Sequence, residues 1–185
     1  FKLLEKLMAE LGVDMDAYVR NRQKAGARFT GEEADTEIED WIDATLFNFM
    51  IDRAATFQRT EYTRGSYLPL AKANELIVKE EEGHKDFGEA SLEEMCKDPE
   101  IRAEVQRRFT KWFVGSLRIF GRAGTPGNQY CLKVGLKTRD SGDVAAAYLD
   151  SIRPVMVTCG LKFPQRDELA LELPPQADLS VPARA

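Results

Sequence analysis

The 185-residue sequence holds a single histidine, His84, and only three cysteines, Cys96, Cys131 and Cys159. The cysteines are odd in number and far apart, with no C-x-x-C spacing, which argues against a disulfide framework and against a thiolate metal site. They read as buried fillers. No apolar run approaches the ~20 residues that span a bilayer, and no charged n-region followed by an apolar h-region opens the chain. Positive charge is not in excess either. The 26 Lys and Arg are outnumbered by 31 Asp and Glu for a net charge of −5, and the two signs are interspersed. Neither nucleic acid nor an anionic membrane finds a basic footprint here, and the expected location is the cytoplasm. Strand alternation is nearly absent, and there is no internal repeat or low-complexity block.

What is present is helical punctuation. With 43% hydrophobic and 31% charged residues, the chain suits one globular domain. "FKLLEKLMAELG" is an amphipathic helix already under way at Phe1, with no capping residue ahead of it, so the true beginning is expected to lie upstream. It stops at Gly12, and Asp14 can cap a second helix, "MDAYVRNRQKAGARF". Thr30 to Glu33 has capping-box spacing before the most apolar segment, "EIEDWIDATLFNFMIDRAATFQ". "RGSYLP" then turns the chain, with Ser66 as a cap and Pro69 in the first turn of the next helix. Asp98-Pro99 opens another helix, a "GTPGN" loop follows, and Ser141 or Asp143 caps a last helix that Pro154 should kink or interrupt. The expected fold is all-α, an antiparallel bundle over residues 1–165, with a proline-bearing tail over 166–185 that is extended or loosely ordered.

One constellation carries chemistry. Glu81 and His84 are three residues apart on a predicted helix, so their side chains can converge on one ion. Asp52 sits in the middle of the apolar segment, among Phe49, Met50, Ile51 and Ala54. An ionised carboxylate there costs several kcal/mol unless it is paired or bound to metal. A solvated glutamate face around Glu80–Glu82, and an Arg53 ion pair for Asp52, are the competing structural explanations. Asp52 lies 14 residues before Ser66 and Glu81 lies 15 after it, so at 1.5 Å per residue a hairpin brings both to one height. Carboxylate oxygens with an imidazole nitrogen suit iron or manganese. Gly83 and Gly88, poor helix formers, point to close packing or room for a ligand. Asn48, one turn before Asp52, is placed to orient a ligand.

"WIDATLFNFMIDRAATFQ", "SYLPLAKA", "KEEEGH", "KWFVGSLRIFG" and "LKVGLKTR" resemble the catalytic A-subunit family of bacterial phenylacetyl-CoA epoxidases. The resemblance spans residues 1 to about 165. It implies a ferritin-like four-helix bundle with additional C-terminal helices. It further implies a multicomponent di-iron monooxygenase that epoxidises the ring of an aromatic acyl-CoA with O₂, using electrons from a separate NADPH-dependent reductase. An inactive ferritin-like sister subunit is the implied partner, and homo-oligomerisation is left open. Asp52, Glu81 and His84 match metal ligands of that family; the other three, including a second Glu-x-x-His, would fall upstream of Phe1. An apolar substrate pocket near Phe49, Phe57 and Phe113 is expected, with Lys72, Lys79 and Arg64 as weaker candidates to meet CoA phosphates. The alternative is a metal-free ferritin-like subunit that docks partners.

Overall fold

The computed structural model describes residues 2–24, 37–169, 173 and 177–180. All regular structure among them is helical, arranged as an all-α, ferritin-like bundle. The elements are α1 (Lys2–Glu10), α2 (Met15–Lys24), α3 (Trp41–Leu46), a π-helical turn (Phe47–Asp52), α4 (Arg53–Thr60), α5 (Leu68–Met95), α6 (Pro99–Arg118), α7 (Pro126–Lys133), α8 (Ser141–Cys159) and a 3₁₀ turn (Arg166–Glu168). No helix among the described residues is long and apolar enough to cross a membrane.

α3, the π turn and α4 follow one another without a break and form a single rod. The rod and the 28-residue α5 make the expected hairpin, and they meet backbone to backbone. A Cβ added at Gly88 would lie 2.6 Å from the Phe49 amide nitrogen, so only glycine lets α5 approach the π turn this closely. Gly83 differs, because a Cβ there would meet nothing within 4 Å.

The core lies on the other side of the rod. α6 contributes Val105, Phe109, Trp112 and Phe113, and α8 contributes Val144, Tyr148, Leu149, Ile152 and Met156, at the three- and four-residue spacing of a buried helix face. Trp112 is fully buried and donates its indole N–H to Asp43 Oδ1 at 2.8 Å. Arg108 stands 3.3 Å from the other Asp43 oxygen, so this buried acid has both a neutral and a charged partner.

Several caps differ from expectation. Asp14 caps α2 through the Ala17 amide, and Asp98 caps α6 through Glu100 and Ile101, as read from the sequence. The rod is capped by Asp40, which accepts from the Ile42 and Asp43 amides; Thr30 to Glu33 lie outside the described residues. Ser66 does not cap α5. Its hydroxyl donates to the Val134 carbonyl at 2.6 Å and its amide to Gly135, which ties the hairpin turn to the end of α7. Neither Ser141 nor Asp143 caps α8; Asp140 reaches the Gly142 amide at 2.8 Å, while Ser141 lies inside the helix and accepts from Lys137 Nζ.

Pro154 does not interrupt α8, which runs unbroken from Ser141 to Cys159. Pro154 and Asp150 are both exposed, so water can satisfy the carbonyl that loses its amide partner. The tail is extended after Cys159 but is not loose where it is described. Leu161, Phe163, Leu169, Leu173 and Ala177 are buried in the same core as α6 and α8.

Glu61, at the end of the rod, is buried and holds this arrangement across sequence. Its two oxygens accept from the Arg139 guanidinium, the Arg139 amide and the Thr138 hydroxyl at 2.6 to 3.1 Å. Burial opposes the charge, but these donors hold its carboxyl below the usual range.

The two glycines of α5 give a test with opposite signs. Gly83→Ala is expected to stabilise the chain by about 0.5–1 kcal/mol, the helix-propensity gain at an open site. Gly88→Ala is expected to destabilise it by about 1–3 kcal/mol, because the clash is with backbone and cannot be relieved by a rotamer change. Urea unfolding midpoints, at unchanged m-value, measure both.

Candidate metal centre

The hairpin delivers what the spacing implied. Asp52 closes the π turn and Glu81 and His84 lie three apart on α5, so the three side chains converge from two helices. His84 Nδ1 is 3.2 Å from Glu81 Oε2 and 3.9 Å from Asp52 Oδ2. One ligand atom from each residue lies within 4.8 Å of the other two. Donors ~2.1 Å from a shared ion stand about 3 to 4 Å apart, the range of the two separations from His84.

The site is graded from wet to dry. The His84 side chain is 62% exposed, Glu81 24% and Asp52 18%. Burial is the main force that pushes the Asp52 carboxyl up to about 6; the negative charge of Glu81 adds to it and His84 offsets part. Two carboxylates that repel one another, one of them half-buried, share a single imidazole. A cation in their midst removes the repulsion and restores what burial cost the Asp52 charge. The donor set of two oxygens and one nitrogen suits iron or manganese, with no sulfur involved. No other group of three or more acidic, His or Cys side chains among the described residues gathers in this way.

The competing explanation for Asp52 fails on geometry. Arg53 turns away from it, donates to the Ser151 carbonyl at 3.0 Å and pairs with Glu89 of α5. Its guanidinium also lies 4.9 Å from the Phe49 ring centroid. Arg53 thus fastens the rod to α5 and α8, a role that its place beside Asp52 concealed. Asn48 is bonded within its own helix. Its amide nitrogen donates to the Ala44 carbonyl of its own helix at 2.8 Å.

The aromatic pocket is not built as expected. Phe49 and Phe113 are fully buried. Phe113 stacks on Phe109 and packs against Phe163, while Phe57 lies edge-on to Tyr148. These rings fill the core. Lys72, Lys79 and Arg64 are exposed on α5 and the hairpin turn.

The π turn itself was not legible in the sequence. It places Asp52 against α5 directly after the close contact at Gly88, and such turns recur at functional sites.

A family model described as "Phenylacetic acid catabolic protein" matches residues 1–172. Comparison with curated proteins gives no match.

The raised Asp52 carboxyl has a stability consequence with a definite sign. Its folded value of about 6 exceeds the ordinary 3.8, so the folded chain keeps a proton there that the unfolded chain has lost. Stability therefore falls as pH rises from about 4 to about 6 and stays lower above it, by roughly 2–3 kcal/mol. Asp52→Asn is expected to match the parent near pH 4 and to exceed it by that order at pH 7, measured by urea unfolding without metal. Adding Mn(II) at pH 7 should raise the parent's midpoint and leave the variant's unchanged.

Proposed function

Because the chain belongs to the phenylacetic acid catabolic protein family, we propose that it is the catalytic subunit of a multicomponent di-iron monooxygenase. The substrate is phenylacetyl-CoA or a related aromatic acyl-CoA, whose ring is epoxidised with O₂. The observation that carries this reading is the convergence of Asp52, Glu81 and His84 on one point between two helices.

A carboxylate-bridged two-metal bundle takes a Glu or equivalent acid from each of two helices and a Glu-x-x-His pair from each of the other two. Asp52 stands for one acid, and Glu81 with His84 stands for one pair. The remaining ligands come from outside the described cluster. When bound, the iron pair supplies the reduction of O₂ and the transfer of one oxygen atom, with electrons from a separate NADPH-dependent reductase.

The chain's own residues have defined tasks. Asp52 would hold the metal as the carboxylate, the form a carboxyl pushed up to about 6 takes at neutral pH. His84 would offer Nδ1, the nitrogen turned toward both carboxylates. The Arg53 contacts to Glu89 and Ser151 fix the rod against α5 and α8, and so fix the distance between Asp52 and the Glu81–His84 pair. In this reading an inactive ferritin-like sister subunit packs against the catalytic one in the cytoplasm.

A second reading rests on the exposure of His84. An imidazole that is 62% exposed and 3.2 Å from Glu81 also suits a plain ion pair on a metal-free subunit that docks its partners.

Iron content of the protein with its native N-terminus separates the two. About two irons per chain support the enzyme, and none supports the docking subunit. Asp52→Ala or His84→Ala in that complete enzyme is expected to abolish O₂-dependent turnover while circular dichroism shows the helices intact. Turnover that survives either change would remove these residues from the ligand set.

A further inference from the structure

α5 leaves one face exposed. Lys72, Leu76, Lys79, Gly83, Phe87, Ala90 and Glu94 all lie at the surface, and their spacing of three and four residues sets them in a single stripe along the helix. The stripe carries large apolar side chains. Leu76 is 60% and Phe87 49% exposed, and Trp41 of the rod, itself 60% exposed, stands edge-on to Phe87 with ring centroids 6.0 Å apart. Apolar side chains grouped in this way at a surface mark a place for a partner. Gly83 lies in the middle, and a Cβ there would meet nothing within 4 Å, whereas Gly88 is on the buried side against the rod.

The order of the stripe says what fits it. From Lys72 to Glu94 the steps are four, three, four, four, three and four residues, the same from either end, with Gly83 at the centre. A second α5 that runs antiparallel and crosses at Gly83 therefore meets the first in register. Lys72 then lies opposite Glu94 of the other copy, Leu76 opposite Ala90, and the Lys79 ammonium opposite the Phe87 ring, an attractive pairing. Asp86, seven residues after Lys79, lies on the same edge of the stripe and comes beside Lys79 of the other copy. Glu80 and Asp86, like charges equally distant from Gly83, lie on opposite edges and do not meet. Two-fold symmetry makes every one of these pairings occur twice.

We propose that this face is an interface between two copies of the chain, packed α5 against α5 in antiparallel sense with the two Gly83 residues at the crossing. The missing Cβ lets the two backbones come close. From Lys72 to Glu94 the stripe is about 33 Å long and about 10 Å wide, or about 330 Å² on each copy, against the about 800 Å² of a standard interface. The dimer is therefore weak and depends on concentration. It uses none of Asp52, Glu81 and His84, so it stands apart from the proposed chemistry.

The test is sedimentation velocity on the full chain with a chelator present, from micromolar to submillimolar concentration. The average mass is expected to rise from one chain toward two, and Leu76→Glu is expected to stay monomeric throughout. Lys72→Glu and Glu94→Lys should each weaken association several-fold, and the two together should restore it, because the pair returns with its signs exchanged. Circular dichroism checks that each variant keeps its helices. As a second measurement, Gly83→Cys should cross-link to its own copy under oxidised glutathione, while Leu68→Cys, 66% exposed in the parent but far from the crossing, should not. A parent that stays monomeric throughout assigns the face to a different protein and overturns the proposal. So does a dimer that Leu76→Glu leaves intact, a double reversal as weak as the single ones, or a Leu68→Cys chain that cross-links as readily as Gly83→Cys. The parent's own concentration dependence is read without any variant, so a substitution that fails to fold does not shield the proposal.

Discussion

The close approach of the π-helical turn to Gly88 is the contact on which the candidate site depends. With no side chain at that position, the α5 backbone comes to rest against the backbone of Asn48 and Phe49. The distances from Asp52 to Glu81 and to His84 follow from it, because the acid and the Glu-x-x-His pair are on opposite sides of that contact. Arg53 secures the same junction from the buried side. A local deviation from the α-helix, a missing Cβ and a buried guanidinium thus act on one point, and together they fix the separation of two helices.

That point is also where stability and function oppose one another. Burial and the neighbouring Glu81 disfavour the charged form of Asp52, so the fold without metal carries a destabilising charge at neutral pH. Carboxyls perturbed in this way cluster at functional sites. Glu61 shows the contrast. It is also buried, but four hydrogen bonds from Arg139 and Thr138 hold its charge in place. One acid is satisfied by the protein and the other keeps its charge only at a cost.

α6 and α8 supply the apolar face on which the rod rests, and the segment after Cys159 closes it with Leu161, Phe163 and Leu169. The aromatic rings that suggested a substrate pocket belong to this face. Phe49 and Phe113 are fully buried in it, and Phe57 is partly buried against it.

The amino-acid sequence alone determined the all-α class, the hairpin and the three residues of the candidate centre. Helical period, caps such as Asp98-Pro99 and the i, i+3 spacing of Glu81 and His84 are local properties, and local properties are written in order along the chain. The tertiary structure decided what depends on neighbours distant in sequence. It gave Arg53 to Glu89 rather than Asp52, and Ser66 to Val134 rather than the start of α5. The reason is physical. A polar group takes whichever partner the fold brings within reach, and no periodicity states which helix end will stand opposite another until the core has packed.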